Sequence, residues 1–363
     1  MQSTPHPEFV TTILLRVDPQ HPASVEIERA AALIRQGRLV AFPTETVYGL
    51  GANALDGEAV ARIFRAKARP SYDPLIVHVA DLDGLLRVVT ALPPTAEKLV
   101  AAFWPGPLTL VLPRHSAVPL IVTGGGETVA VRMPAHPVAL QLIKAAGVPI
   151  AAPSANRFGK VSPTRADHVL ADLDGRIDML LDAGPTPVGV ESTVLSLMLP
   201  VPTLLRPGGI SLEALQAALG EIRLPERSVQ AGTPLQSPGT LEQHYAPRAA
   251  LVLFQGPRAA VLAAMHDQAI RLLSQGERIG LLVGDEDAAE FAQLPVKIQI
   301  VGPAADLQQV AQGLFASLRS LDDAGVTLIL ARDFGSSGLG RAIRDRLTRA
   351  AGGRVVSLGS SID

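Results

Sequence analysis

Lys67 and Arg69 stand one residue apart where a predicted helix ends, and their types and spacing suit a bound anion. In an extended segment, side chains at positions i and i+2 point to the same side, so this pair could hold a polyphosphate. The alternative is a solvated helix end, at which two exposed cations interact with the helix dipole and contribute little to folding. These residues alone leave both interpretations open.

Hydroxyl and amide side chains collect where apolar runs begin or end. The members of this set are Thr44, Thr46, Ser154, Asn156, Thr164, Ser192 and Thr193. Such groups can orient a small polar ligand, or they can form turns by hydrogen bonding to backbone amides. No GxSxG sequence and no Ser-His-Asp arrangement accompanies Ser154, which predicts hydrogen bonding rather than nucleophilic attack. His78 lies within an apolar run and by itself suits a buried core histidine.

Two arginines close apolar runs that have the pattern of strands. Arg132 follows 128–131 and Arg206 follows 203–205, each with a proline close behind it. Arginines at strand ends are often surface residues. Two of them in similar positions nonetheless indicate a basic pocket inside a nearly neutral chain.

Composition excludes several classes of chemistry. The 363 residues include no cysteine, which removes disulfides, thiolate metal sites and cysteine nucleophiles together. The formal net charge of -2 argues against strong direct binding of nucleic acid. Neither a Walker A sequence nor an HExxH sequence is present, so any nucleotide must be held by side chains and loop amides.

The pattern along the chain predicts two α/β domains. Apolar strand runs alternate with helical stretches at 57–68, 94–103, 137–146 and 211–219, which gives a first domain over 24–222. Residues 223–247 lack periodicity and are rich in Pro, Gly, Ser and Gln, as a linker is. Strand runs then alternate with helices at 258–274, 304–321 and 338–351, which predicts a smaller, doubly wound unit over 248–363. Because the first residues lack the pattern of a signal peptide and no apolar stretch is long enough to span a membrane, we expect a cytoplasmic protein.

Six motifs occur in one order over the first domain. They are PTETVYGLG, KARPxxDPLIVH, TVAVRMP, PSANxxGxxSPT, GVESTV and LLRPG. Together they closely resemble the YrdC-like domain of threonylcarbamoyl-AMP synthases, a twisted open mixed sheet with helices. The segment from SPGTLEQHYAP to GLGRAIRDRLTRAA resembles the Rossmann-like accessory domain of that family's long form.

The resemblance implies a role for particular residues. The residues implied to bind L-threonine are Thr46, His78, Arg132, Ser154 and Ser192. Those implied to bind ATP are Lys67, Arg69, Asp73, Thr128, Asn156, Thr164, Arg206 and, from a linker that folds over the nucleotide, Tyr245. Lys67 and Arg69 would also act in catalysis by offsetting negative charge. Asp73 departs from the family, which usually has Asn there: a carboxylate repels phosphate unless a cation neutralises it.

The reaction implied by the resemblance joins L-threonine, bicarbonate and ATP into an adenylate and releases pyrophosphate. Mg²⁺ would arrive with ATP, no organic cofactor would be needed, and a tRNA threonylcarbamoyl transferase would be the functional partner. The alternative from another class is an RNA-binding or regulatory YrdC-like module. Threonine-dependent turnover of ATP separates the two.

Overall fold

The computed structural model describes residues 10–224 and 245–359, and they divide into two compact units. Unit 1 takes the chain up to Phe158, then Ser162–Pro187 and the residues from Glu191 onward in the first described range. Unit 2 takes the chain from Tyr245 together with two short segments, Gly159–Val161 and Val188–Val190. Most of the predicted linker lies outside the described residues.

Unit 1 is built on a ten-stranded mixed sheet. Its strands are β1 (Ile13–Arg16), β2 (Val40–Phe42), β3 (Gly49–Asn53), β4 (Ile76–His78), β5 (Leu108–Pro113), β6 (Thr128–Arg132), β7 (Ile150–Ala151), β8 (Met179–Asp182), β9 (Thr193–Ser196) and β10 (Thr203–Arg206). The order across the sheet is β1-β8-β2-β3-β7-β4-β6-β5-β9-β10. The pairs β4–β6 and β5–β9 are parallel, whereas β5–β6 and β9–β10 are antiparallel, which confirms the predicted mixed sheet.

Helices cover the sheet unevenly. They are α1 (Ser24–Arg35), α2 (Gly57–Lys67), α3 (Leu82–Leu86), α4 (Pro94–Phe103), α5 (Pro137–Ala146), α6 (Ala166–Leu173) and α7 (Leu212–Leu219). Apolar residues of α2, α4, α6 and α7 share one large core with alternate residues of the strands. Helices α1 and α5 pack on the other face, against β2, β7 and β8. None of the described helices is both long and apolar enough to cross a membrane.

Strand β3 was not predicted, because its sequence GLGAN was read as the end of a loop. It pairs antiparallel with β2 and β7. A Cβ on Gly51 would lie 2.7 Å from the Phe42 ring and 2.9 Å from Ile150, so a residue without a side chain is required there. Tertiary packing therefore makes a strand from residues of low β-propensity.

Unit 2 contains a five-stranded sheet in which every pair is parallel. The strands are β11 (Ala250–Gln255), β12 (Ile279–Val283), β13 (Lys297–Ile300), β14 (Leu328–Arg332) and β15 (Val355–Ser357), in the order β13-β12-β14-β11-β15. The helices are α8 (Arg258–Ser274), α9 (Leu307–Asp323) and α10 (Leu339–Ala351). This confirms the predicted doubly wound α/β unit.

Candidate active site

Pleating of the strands puts two of the predicted site residues on one face of the sheet. His78 and Arg132 are paired in register at the ends of β4 and β6. Side chains alternate along a strand, so both lie on the same face as Ile76 and Ala130. Those two residues belong to a small buried cluster with Val111 and Val194, separate from the large core on the opposite face. The candidate site therefore lies on this face of strands β4, β6, β5 and β9. The small apolar cluster forms its base, and the polar side chains at the strand ends lie along its edge.

Arg132 is buried at the edge of this floor and already makes several contacts. Its Nη1 donates a hydrogen bond to Oγ1 of Thr46 at 2.9 Å, and its Nε donates to the carbonyl of Gly106 at 3.2 Å. Nη2 lies 2.6 Å from Oε1 of Glu45 in a buried ion pair. Gly106 belongs to a turn that is closed by Trp104, whose Nε1 donates to the carbonyl of Leu108 at 2.7 Å. Arg132 is thus fixed from three sides, as a residue that recognises a carboxylate needs to be.

The loop between β2 and β3 is shaped by Thr44. Its Oγ1 accepts hydrogen bonds from the backbone N–H of Thr46 and Val47 and donates to the carbonyl of Val47 at 2.7 Å. The turn-forming role that the sequence left open thus applies to Thr44. The turn presents the neighbouring side chains, Glu45 and Thr46, to Arg132.

Ser192 and Arg206 meet at the start of β9. Arg206 Nη2 donates to the carbonyl of Ser192 at 3.0 Å and to its Oγ at 3.2 Å. The Ser192 hydroxyl also lies 2.8 Å from Oγ1 of Thr109 on β5. Both Ser192 and Arg206 are buried. The structure therefore brings together one residue predicted for threonine and one predicted for ATP, and adds Thr109.

Lys67 is the last residue of α2, and Ala68 caps the helix in the left-handed conformation with φ 52°. The Lys67–Arg69 stretch is therefore a helix end and not the extended segment that the sequence suggested. Only 1% of Lys67 is exposed, and its Nζ donates to the carbonyls of Ser154, at 2.6 Å, and Asn156. Burial first, and then the nearby charge of Arg69, lower the pKa of Lys67 well below its usual range.

Arg69 and Asp73 form a second buried ion pair, with Nη2 and Oδ1 2.9 Å apart. Arg69 also donates to the carbonyls of Asp73 and Pro74, at 3.2 and 2.8 Å. Burial raises the pKa of Asp73, against the lowering effect of Arg69, Lys67 and Arg206. The sequence analysis expected a carboxylate at position 73 to repel phosphate unless a cation neutralised it. Arg69 lies at contact distance from Asp73 and is such a cation.

The solvated helix end considered from the sequence is wrong, since Lys67 and Arg69 are 1% and 7% exposed. We expect Lys67→Ala to lower the free energy of unfolding by about 1–3 kcal/mol, because it leaves the buried carbonyls of Ser154 and Asn156 without their donor. Thermal unfolding measures the effect. Lys98→Ala, at an exposed position of α4, is the matched control. An unchanged midpoint for Lys67→Ala would contradict the anchoring role of Lys67.

His78 is buried beside Arg132, and the edge of its ring meets Phe42 at a centroid distance of 6.4 Å. Burial, followed by the positive charge of Arg132, lowers the pKa of His78 to about 3. The imidazole is therefore neutral at pH 7. Its Nδ1 has no hydrogen bond of acceptable geometry to a described residue, although backbone groups of Ile76 and Ile150 lie close enough to oppose the lowering of its pKa.

The lowered pKa of His78 predicts a pH-dependent stability. Between the pKa of an ordinary histidine, 6.5, and about 3, the unfolded chain binds a proton that the folded chain does not. The free energy of unfolding should therefore fall as pH falls through this window, by up to about 1.4 kcal/mol per pH unit from this group. His78→Asn should flatten the dependence, whereas His21→Asn, at an exposed position, should not. Equal slopes for the two variants would refute the assignment to His78.

The remaining predicted residues are placed as follows. Thr128 begins β6, four residues before Arg132, and so lies roughly 13 Å from it along the strand. Thr164 is buried, and its N–H donates to Nδ1 of His168 at 3.2 Å. Tyr245 lies in unit 2, stacked on Phe315 at 5.7 Å between ring centroids. The assignment of these three residues to ATP stays a prediction, as do the other ligand assignments.

Two buried carboxylates were missed by the sequence analysis. Glu45 pairs with Arg132, and Glu191 accepts a hydrogen bond from Oγ of Ser162. Each lies inside a motif that was recognised, in PTETVYGLG and GVESTV. Both were passed over in favour of the hydroxyls beside them, although an acidic residue inside a buried motif requires a counter-charge or donors.

Comparison with known proteins shows the family to which the chain belongs. Residues 32–208 match the family model of Sua5, YciO and YrdC, described as Telomere recombination. Residues 210–352 match the one described as Threonylcarbamoyl-AMP synthase, C-terminal domain. The threonylcarbamoyl-AMP synthase of Bacillus subtilis is 47% identical over 348 residues, which cover 96% of this chain and 97% of the relative. That of Pyrococcus abyssi is 46% identical over 335 residues, covering 92% and 96%.

A solved structure extends the similarity to the fold. Pyrococcus abyssi Sua5, complexed with L-threonine, is 43% identical and superposes with a TM-score of 0.91, covering 96% of this chain and 100% of the other. The fold and site thus define a two-domain protein of the Sua5 and YrdC class. More particularly, the chain belongs to the threonylcarbamoyl-AMP synthase family. The resemblance expected from the six motifs is confirmed.

Proposed function

We propose that this protein is a nucleotidyltransferase that joins L-threonine, bicarbonate or carbon dioxide, and ATP into threonylcarbamoyl-AMP, with release of pyrophosphate. The observation that supports this most directly is the buried polar cluster in which Arg132 lies beside Thr46, Glu45 and His78. A relative of the same family was solved in complex with L-threonine, which supports this amino acid as a substrate. The adenylate would serve the modification of tRNA, through a separate threonylcarbamoyl transferase.

The proposed reaction needs no covalent bond to the protein. The threonine amine attacks the carbon of carbon dioxide to give a carbamate, and the carbamate oxygen attacks the α-phosphorus of ATP as pyrophosphate leaves. Holding the carbamate and the phosphate in line supplies most of the acceleration in such a reaction. Arg132 would hold the threonine carboxylate, and Arg206 and Arg69 would offset negative charge on the phosphates.

Mg²⁺ enters this proposal with the nucleotide. Among residues 10–224 and 245–359, no group of three or more acidic or histidine side chains could hold a metal ion. The oxygens that bind the ion would come mainly from the polyphosphate, as is usual for nucleotide-bound Mg²⁺. The cytoplasmic location and the weak or absent binding of nucleic acid stay predictions.

One incubation tests the function. The protein is mixed with ATP, Mg²⁺, L-threonine and bicarbonate, and pyrophosphate and the mass of the adenylate are followed. We expect both products to form in equal amounts, and to disappear when any one substrate is omitted. Pyrophosphate release that does not depend on threonine would contradict the proposal and favour the RNA-binding or regulatory alternative.

A further inference from the structure

The buried polar cluster at Arg132 contains polar atoms of both signs that have no hydrogen bond to a described residue. Neither carboxylate oxygen of Glu45 has a hydrogen bond of acceptable geometry to a described residue, and the same holds for Nη2 of Arg132. Glu45 and Arg132 are 7% and 3% exposed. Buried polar atoms are rarely left in this condition, so they indicate a ligand that supplies the missing partners.

The electrostatic attraction between the two residues does not replace those hydrogen bonds. Glu45 Oε1 and Arg132 Nη2 are 2.6 Å apart, so the charges attract, but the directions of the lone pairs and N–H groups are unsuitable. A guanidinium has five N–H donors, of which Nε and one on Nη1 are used by Gly106 and Thr46. Donors of Arg132 and acceptors of Glu45 therefore remain side by side in one pocket.

We infer that Glu45 binds the α-ammonium group of the amino-acid substrate while Arg132 binds its α-carboxylate. An α-amino acid zwitterion carries an ammonium group with three N–H donors and a carboxylate with two acceptor oxygens, both bonded to the same Cα. These two groups match the two sets of unsatisfied atoms. This inference rests on the proposed function for the identity of the amino acid. It assigns to Glu45 a substrate contact that neither the hydroxyls nor the arginines of the site can provide.

The assignment has a consequence for the first chemical step. The amine attacks carbon dioxide only after it has lost a proton, since an ammonium nitrogen has no lone pair. The carboxylate of Glu45 lies at hydrogen-bond distance from the ammonium in this arrangement and accepts that proton, becoming a neutral carboxyl group. The lone pair on nitrogen then forms the new N–C bond, and one C–O π bond of carbon dioxide becomes the carbamate oxyanion. The nitrogen loses its second proton in this step, and the dehydration of bicarbonate to carbon dioxide and water consumes it.

Glu45→Gln tests the inference, because it removes the charge and keeps the shape. Two ligands are titrated: L-threonine, and (2S,3R)-2,3-dihydroxybutanoate, in which a hydroxyl replaces the ammonium. We expect the native protein to prefer L-threonine strongly. In Glu45→Gln the affinity for L-threonine should fall by about 10- to 100-fold, the size of a charge-assisted contact, and that for the dihydroxy acid should change little. The affinity for ATP should be retained.

Two control variants make the result decisive. Glu127→Gln makes the same change at an exposed carboxylate, since the Glu127 side chain is 82% exposed beside Arg114, and should alter neither affinity. Glu45→Asp keeps the charge and should retain part of the preference for L-threonine. It provides the test if Glu45→Gln folds poorly. Equal losses for both ligands would show that Glu45 only positions Arg132, and would overturn the inference. If the native protein fails to bind L-threonine, the proposed function itself is wrong.

Discussion

Replacing Arg132 by alanine should both weaken the binding of L-threonine and destabilise the fold. The affinity for L-threonine should fall by about 10- to 100-fold, because a buried charge-assisted contact to the carboxylate is lost. The affinity for ATP should fall far less. In addition, Glu45 is left buried without its counter-charge, which costs about 3–5 kcal/mol in such pairs. Separate ligand titrations and denaturant unfolding measure the two effects.

A second substitution separates these two consequences. Adding Glu45→Gln to Arg132→Ala removes the isolated negative charge, so part of the stability should return while threonine binding stays lost. The matched control is Arg38→Ala, since Arg38 forms a half-exposed pair with Asp178 at 3.5 Å and such pairs contribute at most about 1 kcal/mol. Arg132 is excluded as the carboxylate partner if its loss weakens ATP and threonine equally.

The second large effect is expected at Gly208, which follows β10. A Cβ on Gly208 would lie 2.3 Å from the carbonyl oxygen of Glu191 and from backbone atoms of Ser192 and Thr193. These atoms are backbone and cannot rotate away, so Gly208→Ala must displace the segment that carries Ser192. We expect a loss of stability of about 3 kcal/mol or more, and a near-complete loss of adenylate formation in the folded fraction.

Gly57→Ala is the control for that substitution. The same Cβ at Gly57, in the first turn of α2, meets only Pro119 at 3.7 Å, which is ordinary contact. It should be neutral or stabilising by up to about 1 kcal/mol, since it reduces the freedom of the unfolded chain. Thermal unfolding and adenylate yield are compared for the two alanine variants. A Gly208→Ala protein as stable and active as Gly57→Ala would show that the contact with Ser192 is not required.

Much of the architecture could be predicted because it follows from local patterns. Helix α8 was predicted with its observed bounds, Arg258–Ser274, because apolar periodicity and a preceding proline mark it clearly. Strand β3 could not be, since Gly51 is required by the approach of Phe42 and Ile150, and Ile150 is distant from it in sequence. The order of the strands, likewise, depends on contacts that no local pattern records.

The candidate site was predicted by type more than by environment. Recognisable motifs pointed to Lys67 and Arg69. Both can be buried because a backbone carbonyl accepts from Lys67 and the Asp73 carboxylate pairs with Arg69, and spacing alone does not reveal these partners. Glu45 escaped notice for the same reason. Its partner Arg132 lies 87 positions away in the sequence, and only the folded sheet brings the two charges together.

The turn beside Arg132 also carries the intrinsic fluorophore of the protein. Trp104 is the single tryptophan of the chain, and its indole N–H is bound within the same turn whose Gly106 carbonyl holds Arg132. We therefore expect an adjustment of the guanidinium on contact with a substrate to change the surroundings of this one fluorophore. The emission of the unlabelled protein should then follow substrate binding without a background from other indoles. Stopped-flow fluorescence can then resolve the order in which the two substrates arrive.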